Sequence, residues 1–397
     1  MDTFKKSFTR QEPIPEEAIA AAIDVMRGGR LHRYGADPSE VAALEGQFAK
    51  ALGANHALAV ASGGYAMTCA LRALDVAPGD PVLTNGWTLA PVPGAIAAVG
   101  ARPVLVEVTE DLVIDLDDLA AKADQAKVLL LSHMRGHLCD MARLMEICDT
   151  AGIAVIEDCA HTMGAAWAKT PSGMWGAVGC FSCQTYKHVN SGEGGLIATN
   201  DPDLAAKMIL LSGSYMLYSR NGTAPEEEVF ARHKGQMPNI SGRMDELRAV
   251  ILRPQLRDLP MNVERWNARY RALEAGFRQA AGLRVIDRPA LESYVGSSIQ
   301  VVADLPDRVP AFLKGCADRG VEWKWFGADQ AQGFTSAHHH WGYVAAQALP
   351  KTDRVLAGLL DMRVPLTFDL DDCAAIAAIV RDEAAKHLAT DARVAPV

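Results

Sequence analysis

In the run Gly179-Cys180-Phe181-Ser182-Cys183-Gln184-Thr185-Tyr186-Lys187-His188-Val189-Asn190-Ser191-Gly192-Glu193-Gly194-Gly195, one lysine stands between an apolar stretch carrying a serine and a cluster of glycines. A lysine amine that is kept neutral attacks carbonyl carbons and holds them as Schiff bases. To approach a flat cofactor closely it needs small neighbours and a backbone free to take unusual dihedrals, which Gly192, Gly194 and Gly195 supply. Upstream, Ala154-Val155-Ile156-Glu157-Asp158-Cys159-Ala160-His161 looks like a buried strand ending in acids. A Schiff-base lysine and an acid able to hold a pyridinium nitrogen are together the equipment of pyridoxal phosphate (PLP) chemistry.

The elements that must position these residues follow from the apolar periodicity. Residues 14–28 predict an N-terminal helix, with Ile19, Ile23 and Met26 on one stripe, and 41–52 predict a second. Short β-branched runs then alternate with helical ones. Strands are expected at 57–61, 81–84, 102–106, 127–132, 154–157, 177–183 and 195–199, with helices at 65–74, 91–99, 115–123 and 141–151. That alternation predicts an α/β fold with a mostly parallel central sheet sandwiched by helices, and ligands at the carboxyl ends of its strands. Residues 213–242 are polar, carry Tyr215, Tyr218, Arg220 and an acidic run, and look like a surface excursion. Helices at 244–256, 262–280 and 371–387 and strands at 283–286, 298–302 and 321–325 predict a smaller C-terminal α+β domain. The tail 390–397 is expected to be loose. The organisation is thus an N-terminal helical segment (1–28) packing on the C-terminal domain, a large domain (29–256) and a small one (257–397).

Bulk properties narrow the function classes. The formal charge of −9 gives no global pull toward nucleic acid or anionic membrane. No apolar run approaches the roughly 20 residues that span a bilayer, and Met1-Asp2-Thr3-Phe4-Lys5-Lys6 shows no signal peptide. A cytoplasmic protein is expected. The eight cysteines are scattered, as expected of reduced thiols used as small apolar residues. Cys180-x-x-Cys183 could be a redox pair or half a zinc site. With no second such pair and no helix start beside it, packed strand residues are the better account.

Four ordered segments carry a resemblance. They are His56-Ala57-Leu58-Ala59-Val60-Ala61-Ser62-Gly63-Gly64, then Ile156-Glu157-Asp158-Cys159-Ala160-His161, then Phe181-Ser182 through Lys187 to Gly195, and Arg243-Met244-Asp245-Glu246. In this order and spacing the chain resembles the fold-type I PLP enzymes, specifically the DegT/DnrJ/EryC1 sugar aminotransferase family. The resemblance implies that Lys187 holds the cofactor and moves the proton. Asp158 would keep the ring nitrogen protonated; Glu157 points to the opposite strand face and is the poorer choice. Ala160 packs on the ring, and His161 is either near the cofactor's O3′ side or structural. Ser62, Gly63 and Gly64 at a helix start, with Ser182, form the phosphate cradle. Trp87 takes the place of an aromatic stacked on the ring. A homodimer with shared active sites is implied, in which Asn239 or Ser241, or neither, reaches the partner's phosphate.

Gly64, Tyr65, Arg135, Ser241 and Thr367 depart from what the family commonly shows. Tyr65, Arg135, Tyr215 and Arg220 are the candidates for substrate recognition, since arginine offers a bidentate fork to carboxylate or phosphate. His338-His339-His340 is not expected to bind metal, because consecutive histidines do not converge on one ion. The resemblance implies a transaminase with pyridoxamine phosphate as its intermediate form. The amino donor would be glutamate or glutamine and the acceptor a nucleotide-linked keto sugar or cyclic polyol ketone. A non-sugar ketone, aldehyde or oxo acid is an alternative acceptor. A pyridoxamine-dependent sugar dehydratase is disfavoured because its lysine is replaced by histidine, and a non-catalytic PLP-binding regulator is disfavoured by the intact lysine and acid.

Overall fold

Side chains alternate between two apolar surfaces along five-residue strands, and this decides the architecture. The computed structural model describes residues 3–35, 37–331, 333 and 337–389, so the tail expected to be loose lies outside the described residues. In chain order the strands are β1 (His56–Val60), β2 (Pro81–Asn85), β3 (Arg102–Val106), β4 (Val128–Ser132), β5 (Ala154–Asp158), the short β6 (Ala166–Trp167) and β7 (Thr170–Pro171), β8 (Val178–Ser182) and β9 (Gly195–Thr199). Seven of them form one sheet in the order β1-β9-β8-β5-β4-β2-β3. Only β9 runs antiparallel to its neighbours.

Ala57, Ala59, Leu129, Leu131, Val155 and Phe181 face one core. Helices α2 (Glu40–Leu52), α5 (Leu116–Ala121), α6 (Met141–Ala151) and the first half of α9 (Glu246–Phe277) cover it. Leu58, Val60, Leu130, Ile156 and Ile197 face the other core, beneath α3 (Gly63–Ala73), α4 (Pro91–Ala98), α7 (Pro202–Ser212) and α8 (Glu227–His233). A sheet buried on both faces by crossover helices is what near-continuous apolar strands require.

A second, antiparallel sheet has the order β10-β12-β14-β13, formed by β10 (Leu283–Val285), β12 (Ser298–Ala303), β13 (Lys324–Trp325) and β14 (Leu359–Arg363). Helices α10 (Val309–Asp318) and α12 (Leu370–His387) close its core, while α11 (Pro350–Gly358) packs with Trp87 and Phe326 in a smaller cluster. Strand β11 (Glu292–Ser293) pairs with β6 in a separate three-stranded ribbon. The N-terminal segment docks here too. Phe4 and Phe8 meet Phe368 edge-on at 5.2 and 5.0 Å, and α1 (Glu16–Gly28) lies along α9.

Three elements differ from expectation. The helices expected at 244–256 and 262–280 are one 32-residue helix, α9, with Pro254 and Pro260 inside it. Each proline removes one intrahelical hydrogen bond, but Leu252, Leu256, Leu259 and Trp266 are buried along the same face and hold the helix across the break. The strand expected at 321–325 shortens to Lys324–Trp325. The 213–242 excursion is anchored in the core: Tyr218 stacks on Phe230 at 4.2 Å, and both are buried.

Glu45 ties these parts together. Its fully buried carboxylate accepts from Arg33 Nη2, from the Ala59 N–H of β1 at 2.8 Å and from the Gly222 N–H of the excursion at 3.0 Å. Glu45→Ala leaves a buried guanidinium and two amides unpaired. A loss of about 3–5 kcal/mol of stability is expected, measured as a fall in the urea midpoint, with a smaller loss for Glu45→Gln.

Candidate active site

Asp158 closes β5 and is almost wholly buried. Its carboxylate accepts from Ser132 Oγ of β4 at 3.1 Å and from the Ala160 N–H at 3.2 Å. Ser132 Oγ in turn accepts from Thr88 Oγ1 at 2.7 Å, while the Ser132 backbone is held by Asn85 of β2. Burial pushes the Asp158 carboxyl above its ordinary value, and Lys187, Ala160 and Ser132 oppose that rise. Glu157 points the other way, as strand alternation demands. It accepts from the Gly173, Trp175 and Gly176 amides and pairs with His133 at 2.9 Å. Burial raises its pKa, but these partners outweigh burial and hold it below the ordinary range. Glu157 is therefore structural, and Asp158 is the acid that faces Lys187.

Lys187 lies in the loop between β8 and β9. Its Nζ sits 2.9 Å from His161 Nε2. Burial, with the nearby charges of Arg135 and Arg363, lowers the amine to about 7, against a smaller upward pull from Asp158. His161 is held well below its ordinary value by burial, Lys187 and Arg135. It is thus a neutral imidazole at neutral pH, with Nε2 within hydrogen-bond distance of the amine. His188 lines the same cleft, but it is fixed by the Met163 carbonyl and by Ser297 Oγ at 2.8 Å.

At the carboxyl ends of β1 and β8, Ser62 caps α3 by accepting from the Tyr65 N–H at 3.0 Å. Gly63 packs so closely on Ser182 that a Cβ would lie 2.9 Å from the serine Cβ. At Gly195 a Cβ would meet the Ser62 carbonyl at 2.4 Å. Here the glycines admit the Ser62–Gly63 turn over the start of β9, a packing role additional to the conformational freedom expected beside Lys187. The start of α3 thus lies against Ser182, with Ser62 as its cap.

The structure therefore brings together Lys187, Asp158, Ala160, His161 and Arg135. Ser62, Gly63 and Ser182 form the neighbouring cradle, with Gly64 in the first turn. Other expected residues fall elsewhere. Trp87 is fully buried and meets Phe326 edge-on at 5.4 Å. Tyr65 donates to the Leu211 carbonyl at 3.2 Å and covers Gly242, so its hydroxyl is committed to the fold. Arg220 donates to the Tyr34 carbonyl at 2.7 Å. Tyr215 is exposed and carries the Arg243 guanidinium 4.8 Å from its ring centre. Asn239 Oδ1 accepts from the Ser241 amide and hydroxyl, and this exposed turn stands beside Tyr215 and Arg243. Cys180 and Cys183 face different cores and do not form a pair. His338 is bound to Asp353 Oδ1 at 2.7 Å.

Sequence reasoning missed Ser132, Thr88 and Asn85, although polar residues ending apolar strands are a usable signal. It also missed Arg363 and its neighbour Asp361, which come from β14 and reach the cleft only through tertiary folding. Asp361 pairs with Arg135 at 2.7 Å.

A lysine with a lowered pKa near a buried acid, beside a helix start on a doubly wound sheet, agrees with the fold-type I architecture. The chain matches the DegT/DnrJ/EryC1/StrS aminotransferase family over residues 13–381 and belongs to it. It is 33% identical over 285 residues to the dTDP-3-amino-3,4,6-trideoxy-alpha-D-glucose transaminase of Streptomyces venezuelae, covering 70% of this chain and 69% of that one. It is 32% identical over 263 residues to the L-glutamine:2-deoxy-scyllo-inosose aminotransferase of Streptomyces kanamyceticus, covering 64% and 60% respectively. The aminotransferase TlmJ from Streptoalloteichus hindustanus shares the fold, with a TM-score of 0.82 at 24% identity over 95% of this chain and 98% of that one. The protein is an aminotransferase of a PLP-dependent family.

The lowered amine has a direct consequence. Acylation of Lys187 by an amine-selective reagent, followed by mass spectrometry, is expected to rise with pH through a midpoint of about 7 instead of 10.5. The sign follows because only the neutral amine reacts. Replacing Arg135 by Gln removes a repelling charge and is expected to move the midpoint upward.

Proposed function

We propose that this chain is a PLP-dependent aminotransferase that takes an amino group from glutamine or glutamate and passes it to a keto sugar or cyclic polyol ketone in a ping-pong cycle. The observation that carries the proposal is the convergence of His161, by contact, and Asp158, by charge, on the Lys187 amine. The residues present fit the cofactor. A Cβ at Gly63 would press on Ser182, so a glycine there is what lets the α3 start approach that serine. Asp158 is a buried carboxylate that acts on the lysine, and the amine is neutral enough to react. When bound, PLP supplies an aldehyde for amine exchange and a ring that withdraws electrons from the substrate carbon. Lys187 would hold it covalently, Asp158 would pair with its ring nitrogen, and the α3 start with Ser62 and Ser182 would bind its phosphate.

Lys187 then serves as the proton carrier. Neutral, it accepts a proton from the substrate carbon; protonated, it delivers one. His161, which remains neutral, orients Nζ through the hydrogen bond at Nε2. Asn239 and Ser241 support a homodimer in which this exposed turn meets the second subunit. Buried, unpaired cysteines support a cytoplasmic location, and no helix among the described residues is long and apolar enough to cross a membrane. The sugar and aminocyclitol names of the two relatives support the acceptor class. A pyridoxamine-dependent dehydratase finds less support, since His188 is tied to Met163 and Ser297.

The experiment is to purify the protein with the cofactor, record its visible absorption and add amino donors. A visible band that bleaches with L-glutamine or L-glutamate is expected, with no band in Lys187→Ala. Protein that stays colourless after reconstitution sinks the proposal, and a band indifferent to every donor makes it a non-catalytic binder. Asp158→Asn keeps the shape and removes the charge; the bleaching rate is expected to fall by about 10²–10³, the size of losing one electrostatic partner in a dry site. At Gly64 a Cβ would meet only Ser62 Oγ, at 3.9 Å. Gly64→Thr therefore fits, and its hydroxyl is expected to slow cofactor loss on dialysis about threefold to tenfold, the effect of one added hydrogen bond.

A further inference from the structure

Two guanidinium groups enter the cleft beside Lys187, and they are not equivalent. Arg135 is buried and paired with Asp361. Asp361 also accepts from Gln300 Nε2 at 2.7 Å, and Gln300 Oε1 meets His137 Nε2 at 2.8 Å. The charge of Arg135 is thus neutralised inside a buried polar network. Arg363, the last residue of β14, is half-buried and lines the cleft with Lys187, His161 and Tyr186. Among the described residues no carboxylate lies within ion-pair distance of it. Its contact is with the Tyr186 ring, whose centre is 4.0 Å from the guanidinium carbon.

A guanidinium lying over a ring face keeps its N–H donors in the plane, pointing outward around the edge. That edge is the part that grips a carboxylate with two parallel bonds. A half-buried cation without an anion carries an uncompensated desolvation cost. An incoming anion removes that cost and meets a fork whose orientation the ring has already set. Lys187 and Arg363 line the same cleft from its two sides, so an α-amino acid can offer its amino-bearing carbon to Nζ and its carboxylate to the guanidinium. The lowered amine of Lys187, for which Arg363 is one cause, agrees with this closeness.

The geometry points to Arg363, held on the Tyr186 ring, as the residue that binds the α-carboxylate of the amino donor and so determines donor specificity in the first half-reaction. This rests on the aminotransferase function proposed above. Arg135, already neutralised by Asp361, shapes the cleft and leaves the carboxylate to Arg363. Tyr186 is a positioning residue that acts through Arg363.

The test separates the donor from the acceptor and from catalysis at large. For Arg363→Gln, the KM for L-glutamine and L-glutamate in the first half-reaction is expected to rise about 10- to 100-fold, the loss of a hydrogen bond to a charged group, with kcat changed far less. Arg363→Lys is expected to recover part of the affinity. Starting from the aminated enzyme, the acceptor KM is expected to stay within a few-fold of wild type. Isopropylamine, a donor without a carboxylate, is expected to lose far less in Arg363→Gln than L-glutamine or L-glutamate does, the remaining loss being the shift of the Lys187 amine that Arg363 also lowers. Equal loss with isopropylamine, or an unchanged donor KM, overturns the assignment.

A second measurement does not need turnover. Titration of the purified protein with glutarate in a calorimeter is expected to show binding that weakens at least tenfold in Arg363→Gln. No binding to wild type, or equal binding to both, overturns the proposal. If wild type binds glutarate through Arg363 yet no donor bleaches the cofactor, the carboxylate site stands and the aminotransferase proposal fails.

Discussion

The neutralisation of one buried amine is the constraint on which the rest of this structure depends. A lysine in water holds its proton far above neutral pH and is a poor nucleophile. Here burial removes the water that stabilises the ammonium, and the charges of Arg135 and Arg363 repel it, so the amine falls to about 7. Asp158 pulls the other way, and if it stood alone with Lys187 the pair would be a plain ion pair. The balance needs the carboxylate near enough to feel the amine, yet otherwise engaged. Ser132 and the Ala160 amide provide that engagement.

Strand geometry sorts these charges. Glu157 and Asp158 are adjacent and chemically alike, yet one faces the loop 173–176 and is saturated by three amides, while the other faces the cleft. A one-residue slip of β5 would exchange their places. The register is pinned by pairing along β4 from Val128↔Ala154 to Ser132↔Asp158 and against β8 from Ile156↔Val178 to Asp158↔Cys180. The same ladders place Ser132 beside Asp158. Sheet register is thus what sets the electrostatics of Lys187.

Much of this was legible before any coordinate. Lys187 and Asp158 announce themselves because lysine beside glycines and acids at a strand end are each unusual, and the alternation of β-branched and helical runs specifies the doubly wound sheet. The departures have physical reasons. Pro254 and Pro260 suggest a break in α9, but a helix whose apolar face is buried across both prolines gains more from packing than it loses in two backbone bonds. Trp87 suggests a stacking ring from its neighbourhood alone, whereas its burial depends on Phe326, brought in by the distant second sheet. Arg363 was invisible for the same reason. Its chemistry comes from Tyr186, and nothing local to residues 359–363 points to a cleft on the other sheet. What a strand end carries can be read from its own segment; what reaches across to it cannot.

The cleft is accordingly an interface between two cores. Helix α9 belongs to both, contributing Leu252 and Leu256 to the large sheet and Leu273 and Phe277 to the small one. Lys187 and Tyr186 stand on one side, and Arg363 and Asp361 on the other. Arg135, which follows β4, and Arg363, which ends β14, both repel the lysine, and each is answered from across the gap, Arg135 by Asp361 of β14 and Arg363 by the Tyr186 ring. The attraction of an aromatic face for a guanidinium is modest, about 0.5–2 kcal/mol, smaller than what a bound anion supplies. The contact across the cleft is therefore weak enough to yield to a substrate and specific enough to leave the guanidinium edge facing it.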